Sequence, residues 1–232
     1  DPAQLAGRLY QEQIDEIVFY DIMASAEKRR ADIATVAEVA GNIFVPLTVG
    51  GGIRSLDDMH AVLAAGAEKI SIDSMAVRDP ALITRGANEF GVQCIVVSLQ
   101  AKWVGSSAEI PSGYEVAIDG ARVFTGMDAI EWARRAEGLG AGEIVVNSID
   151  RDGTGRGYEL DLTGEIARAV TVPVIASGGA GTVQHIMDGF DAGASAAIIS
   201  SMLYSPRNRN VSVPELKAEL LAAGANVRPL VA

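Results

Sequence analysis

The stretch PLTVGGGI (Pro46–Ile53) decides the fold, because PVIASGGA (Pro173–Ala180) repeats it without a gap in the second half of the chain. Each stretch is a short apolar run that ends in a glycine pair, which is typical of a buried strand followed by a tight turn. The same offset relates three more pairs of segments: Ala65–Ala67 and Ala192–Ala194, Ser74–Met75 and Ser201–Met202, and Glu16–Val18 and Glu143–Val145. One half of the chain therefore resembles the other, as in a fold built from two half-barrels.

Apolar strand patterns alternate with helical patterns along the chain. The predicted strands are Ile14–Ile22, Val45–Val49, Lys69–Asp73, Cys94–Gln100, Glu143–Ile149, Pro173–Ser177 and Ala196–Ser201. The predicted helices are Pro2–Gln11, Ala31–Gly41, Ser55–Ala65, Pro80–Phe90, Asp128–Leu139, Leu160–Val170, Thr182–Ala192 and Val213–Ala223. Strands that are apolar throughout indicate a parallel sheet covered by helices. We therefore predict an α/β fold, a (βα)8 TIM barrel with a two-fold half-barrel repeat.

The repeat also predicts a strand that precedes residue 1. The second half of the chain has four predicted strands and the first half has three, so the partner of Cys94–Gln100 is missing. Since a closed barrel pairs its last strand with its first, we expect residues 1–232 to form a single barrel domain that is incomplete at its N-terminus. A true seven-stranded sheet is the alternative. Between residues 103 and 125, the alternating pieces Tyr114–Ile118 and Ala121–Phe124 predict an inserted β-hairpin.

The composition narrows the possible partners. The chain is 49% hydrophobic with a net charge of −11, which fits one globular domain and argues against nucleic acid as a partner. A single cysteine excludes an intrachain disulfide, and two histidines far apart in sequence make a metal site unexpected. With neither a signal peptide nor a membrane-spanning apolar stretch in the sequence, we expect a soluble, cytoplasmic protein.

Ligands of a (βα)8 barrel bind at the carboxyl ends of the strands, and these ends suggest two phosphate sites. One combines Gly51 and Gly52 with Asp73 and Ser74, and the other combines Gly178 and Gly179 with Ser200 and Ser201. Glycines let a phosphate approach the backbone, and the N–H groups at a helix start attract it. The alternative is that the glycines only make tight turns. Two sites of this kind suit a substrate that carries a phosphate at each end.

Other polar residues at the predicted strand ends are Asp21, Gln100, Asn147 and the loop Asp150-Arg-Asp-Gly153. Two carboxylates in a glycine-containing loop can bind hydroxyls or transfer protons, and we favour Asp152 for this role. A solvated turn is the alternative for this loop.

The chain resembles the cyclase subunit of imidazole glycerol phosphate synthase, an enzyme of histidine biosynthesis. The segments that carry the resemblance are Asp21–Ser25, Leu47–Ile53, Asn147–Thr154, Val174–Gly181 and Asn226–Arg228. The resemblance implies a lyase that uses no metal or organic cofactor. It adds ammonia to a ribulosyl aminoimidazole carboxamide bisphosphate, and it releases imidazole glycerol phosphate and an aminoimidazole carboxamide ribotide. It also implies that the strand-end residues named above, with Gly153, bind this substrate.

The resemblance further implies a glutaminase subunit that binds the N-terminal face of the barrel as a heterodimer and supplies ammonia. The family's ammonia gate consists of two glutamates, a lysine and an arginine, of which Glu16, Lys69 and Glu143 match three. Each of these residues starts an apolar strand, so their side chains can converge. Ordinary surface charge at strand starts is the alternative.

Two departures from the family concern its catalytic aspartates, which end the first and fifth strands. The first aspartate belongs to the missing strand, and the second falls on Gln100. A glutamine amide is neutral near pH 7 and cannot transfer the proton. Lys102 shares the face of Gln100 only if the strand continues, and we assign it no role as the base. An amidation-pathway paralogue that channels ammonia therefore stays possible, as does a non-catalytic barrel that binds bisphosphates or a glutaminase.

Overall fold

The computed structural model describes residues 1–22, 24, 29–204 and 211–231. Its strands are β1 (Ile17–Tyr20), β2 (Leu47–Gly50), β3 (Lys69–Ile72), β4 (Ile95–Trp103), β5 (Tyr114–Ile118), β6 (Val123–Asp128), β7 (Glu143–Ser148), β8 (Val174–Ser177) and β9 (Ala196–Ala197). Its helices are α1 (Pro2–Gln11), α2 (Ile33–Ala40), α3 (Leu56–Ala64), α4 (Ser74–Arg78), α5 (Ala81–Phe90), α6 (Ala129–Gly138), α7 (Leu160–Ala169), α8 (Val183–Asp191), α9 (Ser201–Tyr204) and α10 (Val213–Ala222). Of the Asp21–Ser25 motif, Met23 and Ser25 lie outside the described residues.

The first of two compact units comprises residues 1–97 and 139–142. In this unit β1, β2, β3 and the first residues of β4 pair in parallel, in that order. All four residues of β2 are buried. A strand is buried on both faces only where other elements cover both sides of its sheet, which explains the continuous apolar run Val45–Val49 in the sequence.

The second unit comprises residues 98–138 and 143–232. The strand β4 continues into it, and the sheet order here is β4, β7, β8 and β9. β7 and β8 pair in parallel with Ile144 opposite Val174, and β8 pairs in parallel with β9. Parallel strands with intervening helices confirm the predicted α/β fold of the (βα)8 class.

An antiparallel hairpin of β5 and β6 follows β4 in the second unit. Its second strand is Val123–Asp128 rather than the expected Ala121–Phe124. The reason is the turn, because residues 119–121 have φ values of 56°, 65° and 65°. An extended strand requires negative φ, so it can begin only after these residues.

Several other strands also differ in length from the sequence prediction. β1 covers only Ile17–Tyr20 instead of Ile14–Ile22, because Ile14 N still bonds to the carbonyl of Leu9 at the end of α1. β4 runs on to Trp103, three residues past the predicted end at Gln100, because the hairpin pairs with this extension. β9 covers only Ala196–Ala197 instead of Ala196–Ser201. Its ladder ends with the bond from Ile198 N to Ala176 O at 2.8 Å, after which the chain leaves the sheet.

The internal repeat extends to the local geometry of caps and turns. Ser55 caps α3 by accepting a bond from the N–H of the third helical residue, and Thr182 caps α8 in the same way, each at 3.2 Å. Gly66 and Gly193, which follow these helices, both have φ of 111°. Only glycine adopts this conformation without strain, so the repeat has a structural reason at these positions.

Candidate active site

The first glycine turn, at the end of β2, packs closely against the backbone that follows β1. Gly51 and Gly52 have φ values of 92° and 72°. A Cβ atom at Gly51 would collide with the carbonyl oxygen of Asp21, and one at Gly52 would lie 2.7 Å from the backbone nitrogen of Ala31. The turn therefore requires glycine for its own packing, whether or not a phosphate binds there.

The carboxylate of Asp21 is occupied by neighbouring groups. Arg29 Nη2 donates to its Oδ1 at 2.8 Å, and Arg29 Nη1 binds Oδ2. The N–H of Ala24 adds a third bond at 3.1 Å. Burial raises the pKa of Asp21, but the hydrogen bond and charge of Arg29 outweigh burial and hold this pKa below its ordinary value. The carboxylate of Asp21 is thus engaged in an ion pair with Arg29.

Asp73 and Ser74 follow β3, the strand that pairs with β2. The structure therefore places them after the strand beside the one that leads into Gly51 and Gly52. Ser74 is buried at the start of the five-residue helix α4, and the Asp73 side chain makes no capping bond to it.

The second glycine turn, at the end of β8, lies against the end of β7. Gly178 and Gly179 have φ values of 84° and 107°. A Cβ atom at Gly178 would lie 2.6 Å from Oδ1 of Asn147 and 3.4 Å from the Cα atom of Asp152. The N–H of Gly157 also donates to the Gly179 carbonyl at 2.8 Å. Three of the predicted substrate-binding positions of this unit therefore meet at one turn.

Ser200 and Ser201 follow β9, which pairs with β8. They do not end a strand as the sequence predicted, because β9 stops at Ala197. Ser201 is instead the first residue of the four-residue helix α9, and the carbonyl of Ser200 accepts a bond from Leu203 N at 2.9 Å.

The two aspartates of the loop after β7 have different surroundings. Asp150 Oδ2 accepts a hydrogen bond from the N–H of Trp103 at 2.9 Å. Asp152 is exposed, and its carboxylate makes no hydrogen bond or ion pair with any residue that the structure describes. Gly153, with φ of 72°, turns the chain directly after it. Of the two, Asp152 is the one whose carboxylate can meet a ligand without breaking a protein contact.

A network that sequence reasoning did not find holds the same loop. Arg151 Nε donates to Glu159 Oε2 at 3.1 Å, and Tyr114 on β5 lies close enough to Glu159 to feel its charge. Burial and the neighbouring negative charges, Glu159 first among them, raise the pKa of Tyr114 above its ordinary value. The only signal in the sequence was the charge of Arg151, because its partner Glu159 lies eight residues later, at the start of α7.

Gln100 and Lys102 lie on one face of β4. Side chains alternate along a strand, and β4 continues through Trp103, so the condition for Lys102 to share the face of Gln100 is met. Both side chains are partly exposed, whereas the alternate residues Leu99 and Ala101 are buried. In the antiparallel pairing Lys102 lies opposite Glu115, whose Oε1 accepts a bond from Gly126 N at 2.7 Å.

Two of the predicted gate residues pair with each other at the strand starts of the first unit. Lys69 Nζ lies 3.1 and 3.0 Å from the two carboxylate oxygens of Glu16. Thr48 Oγ1 donates to the same carboxylate at 2.8 Å, a contact that the sequence did not predict. Glu143, the third predicted member, begins β7 in the second unit and is partly buried.

Among the described residues, no group of three or more histidine, cysteine or acidic side chains is arranged to hold a metal ion. In the same part of the chain, no helix has both the length and the apolar character needed to cross a membrane.

Comparison with known proteins identifies the family. A family model described as "Histidine biosynthesis protein" matches residues 1–208. The chain is 54% identical over 229 residues to the imidazole glycerol phosphate synthase subunit HisF of Nitratidesulfovibrio vulgaris (strain DP4), an alignment that covers 98% of this chain and 87% of that protein. HisF subunits of Desulfatibacillum aliphaticivorans and Solidesulfovibrio magneticus are 51% and 52% identical with the same coverage. The chain therefore belongs to the histidine biosynthesis protein family, in its branch of imidazole glycerol phosphate synthase HisF subunits.

Proposed function

We propose that the protein is an ammonia-dependent cyclase that forms imidazole glycerol phosphate and an aminoimidazole carboxamide ribotide from a ribulosyl bisphosphate. The observation that carries this proposal is the carboxylate of Asp152, which bonds to no residue within the described part of the chain. The Cα atom of Asp152 lies 3.4 Å from the Cβ position at Gly178. An ionised carboxylate beside a glycine turn and a strand-end asparagine can bind substrate hydroxyls or move a proton.

In this proposal each glycine turn binds one phosphate of the substrate. Gly51 and Gly52 act with Asp73 and Ser74, and the second group is Gly178, Gly179, Ser200 and Ser201. The positive φ values support this proposal, because a glycine turn has no Cβ atoms beside its backbone N–H groups. Asn147 and Gly153 complete the second group. Asp21 contributes through its ion pair with Arg29, whose carbonyl oxygen lies 2.9 Å from the Cβ position of Gly52.

Gln100 occupies the position at which the family has its second catalytic aspartate. We propose that Gln100 binds the substrate without transferring a proton. The amide can donate and accept hydrogen bonds but has no titratable proton at neutral pH. Loss of a proton-transfer group lowers a rate roughly 100- to 10,000-fold. Gln100 is also the observation that favours the second candidate function, a barrel that binds bisphosphates or a glutaminase without turnover.

We also propose a glutaminase subunit as partner, bound at the N-terminal face of the barrel. The pairing of Glu16 with Lys69 supports a polar gate there, with Glu143 as a further member. A partly buried ion pair that a threonine also contacts can open without leaving a charge unsolvated if water or ammonia replaces one partner. We propose the cytoplasm as the location of the protein.

The test uses the protein expressed from its full reading frame, assayed with ammonium and the bisphosphate substrate. We expect the bisphosphate to bind, with weak turnover that rises at least tenfold in Gln100→Asp and is lost in Asp152→Asn. Binding without turnover, even in Gln100→Asp, would instead support the non-catalytic candidate. No binding of the bisphosphate would overturn the cyclase proposal and would leave only a glutaminase-binding barrel. Full turnover with Gln100 in place would show that this position needs no acid.

A further inference from the structure

Lys102 is a cation on the proposed substrate-facing side of β4, and it has no counter-ion among the residues that the structure describes. Its side chain is partly buried, yet it forms no hydrogen bond or ion pair within residues 1–22, 24, 29–204 and 211–231. The nearest carboxylate across the strand pair, that of Glu115, bonds to the N–H of Gly126 instead. An ammonium group in a partly buried position is more stable with an acceptor than without one.

The backbone around Lys102 contacts the loop that carries Asp152. The carbonyl of Ala101 accepts a bond from Ile149 N at 2.9 Å, and the N–H of Trp103 donates to Asp150. Lys102 therefore lies between two residues whose backbones bond to this loop. It is also two residues from Gln100. Two residues along a strand correspond to about 6.6 Å, which the four-carbon side chain of lysine can span.

Lys102 is too far from the second glycine turn to share its phosphate. In the sheet order β7 separates β4 from β8, and β8 leads into Gly178. Two strand spacings amount to about 10 Å. A substrate held by that turn thus presents to Lys102 an atom beyond its phosphate group.

We propose that Lys102 is a substrate-contacting residue that donates a charge-assisted hydrogen bond to an acceptor oxygen in the part of the bisphosphate between its two phosphates. Gln100 beside it supplies a neutral donor and acceptor, so this face of β4 is cationic and selects an oxygen with partial or full negative charge. This inference rests on the proposed function. It adds Lys102 as the charged residue of β4, on a strand where Gln100 replaces the expected aspartate.

The test compares Lys102→Met, which keeps the length and removes the charge, with Lys102→Arg and with the wild type. Arg122→Met is the matched control, since Arg122 is an exposed cation in the turn of the neighbouring hairpin. Calorimetric titration with the bisphosphate, without ammonia, measures binding, and titration with inorganic phosphate measures the phosphate sites alone. A charge-assisted hydrogen bond corresponds to roughly 10- to 150-fold in affinity.

We expect Lys102→Met to weaken bisphosphate binding at least tenfold and to leave the affinity for inorganic phosphate within about twofold. Lys102→Arg should recover most of the loss, and Arg122→Met should bind as the wild type does. If Lys102→Met binds the bisphosphate as tightly as the wild type, or if it loses inorganic phosphate equally, the assignment of Lys102 is overturned while the proposed function stands. A wild type that does not bind the bisphosphate would overturn both.

Discussion

Asp150 uses its carboxylate to hold the backbone of Trp103, with 2.9 Å between Oδ2 and the nitrogen. The bond joins the loop after β7 to the end of β4. It distinguishes Asp150 from Asp152 two residues later, whose carboxylate bonds to none of the residues that the structure describes.

We expect substitution of Asp150 to lower the stability of the protein and substitution of Asp152 to lower its activity. Asp150→Ala should lower the melting temperature, because it leaves the Trp103 N–H without its acceptor, at a cost of about 1–2 kcal/mol. Asp152→Asn should leave the melting temperature within about 1 °C and lower kcat at least 100-fold. Calorimetric melting and steady-state kinetics on both variants check this. Equal kinetic losses with equal melting temperatures would contradict the assignment.

The packing of Gly51 predicts a large stability cost for a methyl group there. Gly51→Ala places a Cβ atom against the carbonyl oxygen of Asp21, in addition to the strain of a positive φ. Gly105→Ala is the control, because Gly105 has φ of 84° and no atom within 4 Å of its Cβ position. We expect Gly51→Ala to lose at least about 1 kcal/mol more than Gly105→Ala in urea unfolding. Similar losses would mean that the neighbouring loop moves aside.

Asp128 predicts a pH-dependent contribution to stability. Its buried carboxylate accepts bonds from the N–H groups of Ser112 at 2.8 Å and Ile130 at 2.9 Å. Burial raises the pKa of Asp128, but these bonds outweigh burial and hold the pKa below its ordinary value. Because the folded pKa is the lower one, the stabilisation is present above about pH 4, the unfolded pKa, and is lost as the pH falls through the folded pKa.

Asp128→Asn should therefore lower the free energy of unfolding at pH 7 by about 1–2 kcal/mol. The difference from the wild type should shrink as the pH falls from about 4 toward 2, where both side chains are neutral. Urea unfolding at a series of pH values measures it, with the exposed Asp191→Asn as control. A difference that stays constant down to pH 2 would show that the charge of Asp128 is not responsible.

The Glu16–Lys69 pair predicts that breaking it will lower turnover with ammonia from the glutaminase more than turnover with added ammonium. Lys69→Met leaves the Glu16 carboxylate with Thr48 as its remaining donor among the contacts described above. In the complex with the glutaminase, we expect glutamine-dependent turnover to fall at least fivefold more than turnover with added ammonium. Arg134→Met, which removes an exposed ion pair with Glu131, should change neither rate. Equal losses with both nitrogen sources would argue against a gate.

The sequence predicted what depends on local pattern and repetition. The alternation of apolar strands with helices, and the positive φ at Gly178 and Gly179, follow from side-chain periodicity and from the need for glycine in these turns. Contacts between residues that are far apart in the sequence were not predicted. The end of β4 looks polar in sequence, and only its antiparallel pairing with β5 extends it to Trp103. The bonds from Thr48 to Glu16 and from Arg151 to Glu159 likewise join groups whose proximity no local pattern encodes.

The caps at Ser55 and Thr182 match, and Gly66 and Gly193 have identical φ values. Residues 55–66 and 182–193 therefore have the same length and begin and end with the same local geometry. A chimera that carries one of these capped helices at both positions would keep the chain length and leave both glycine turns unchanged.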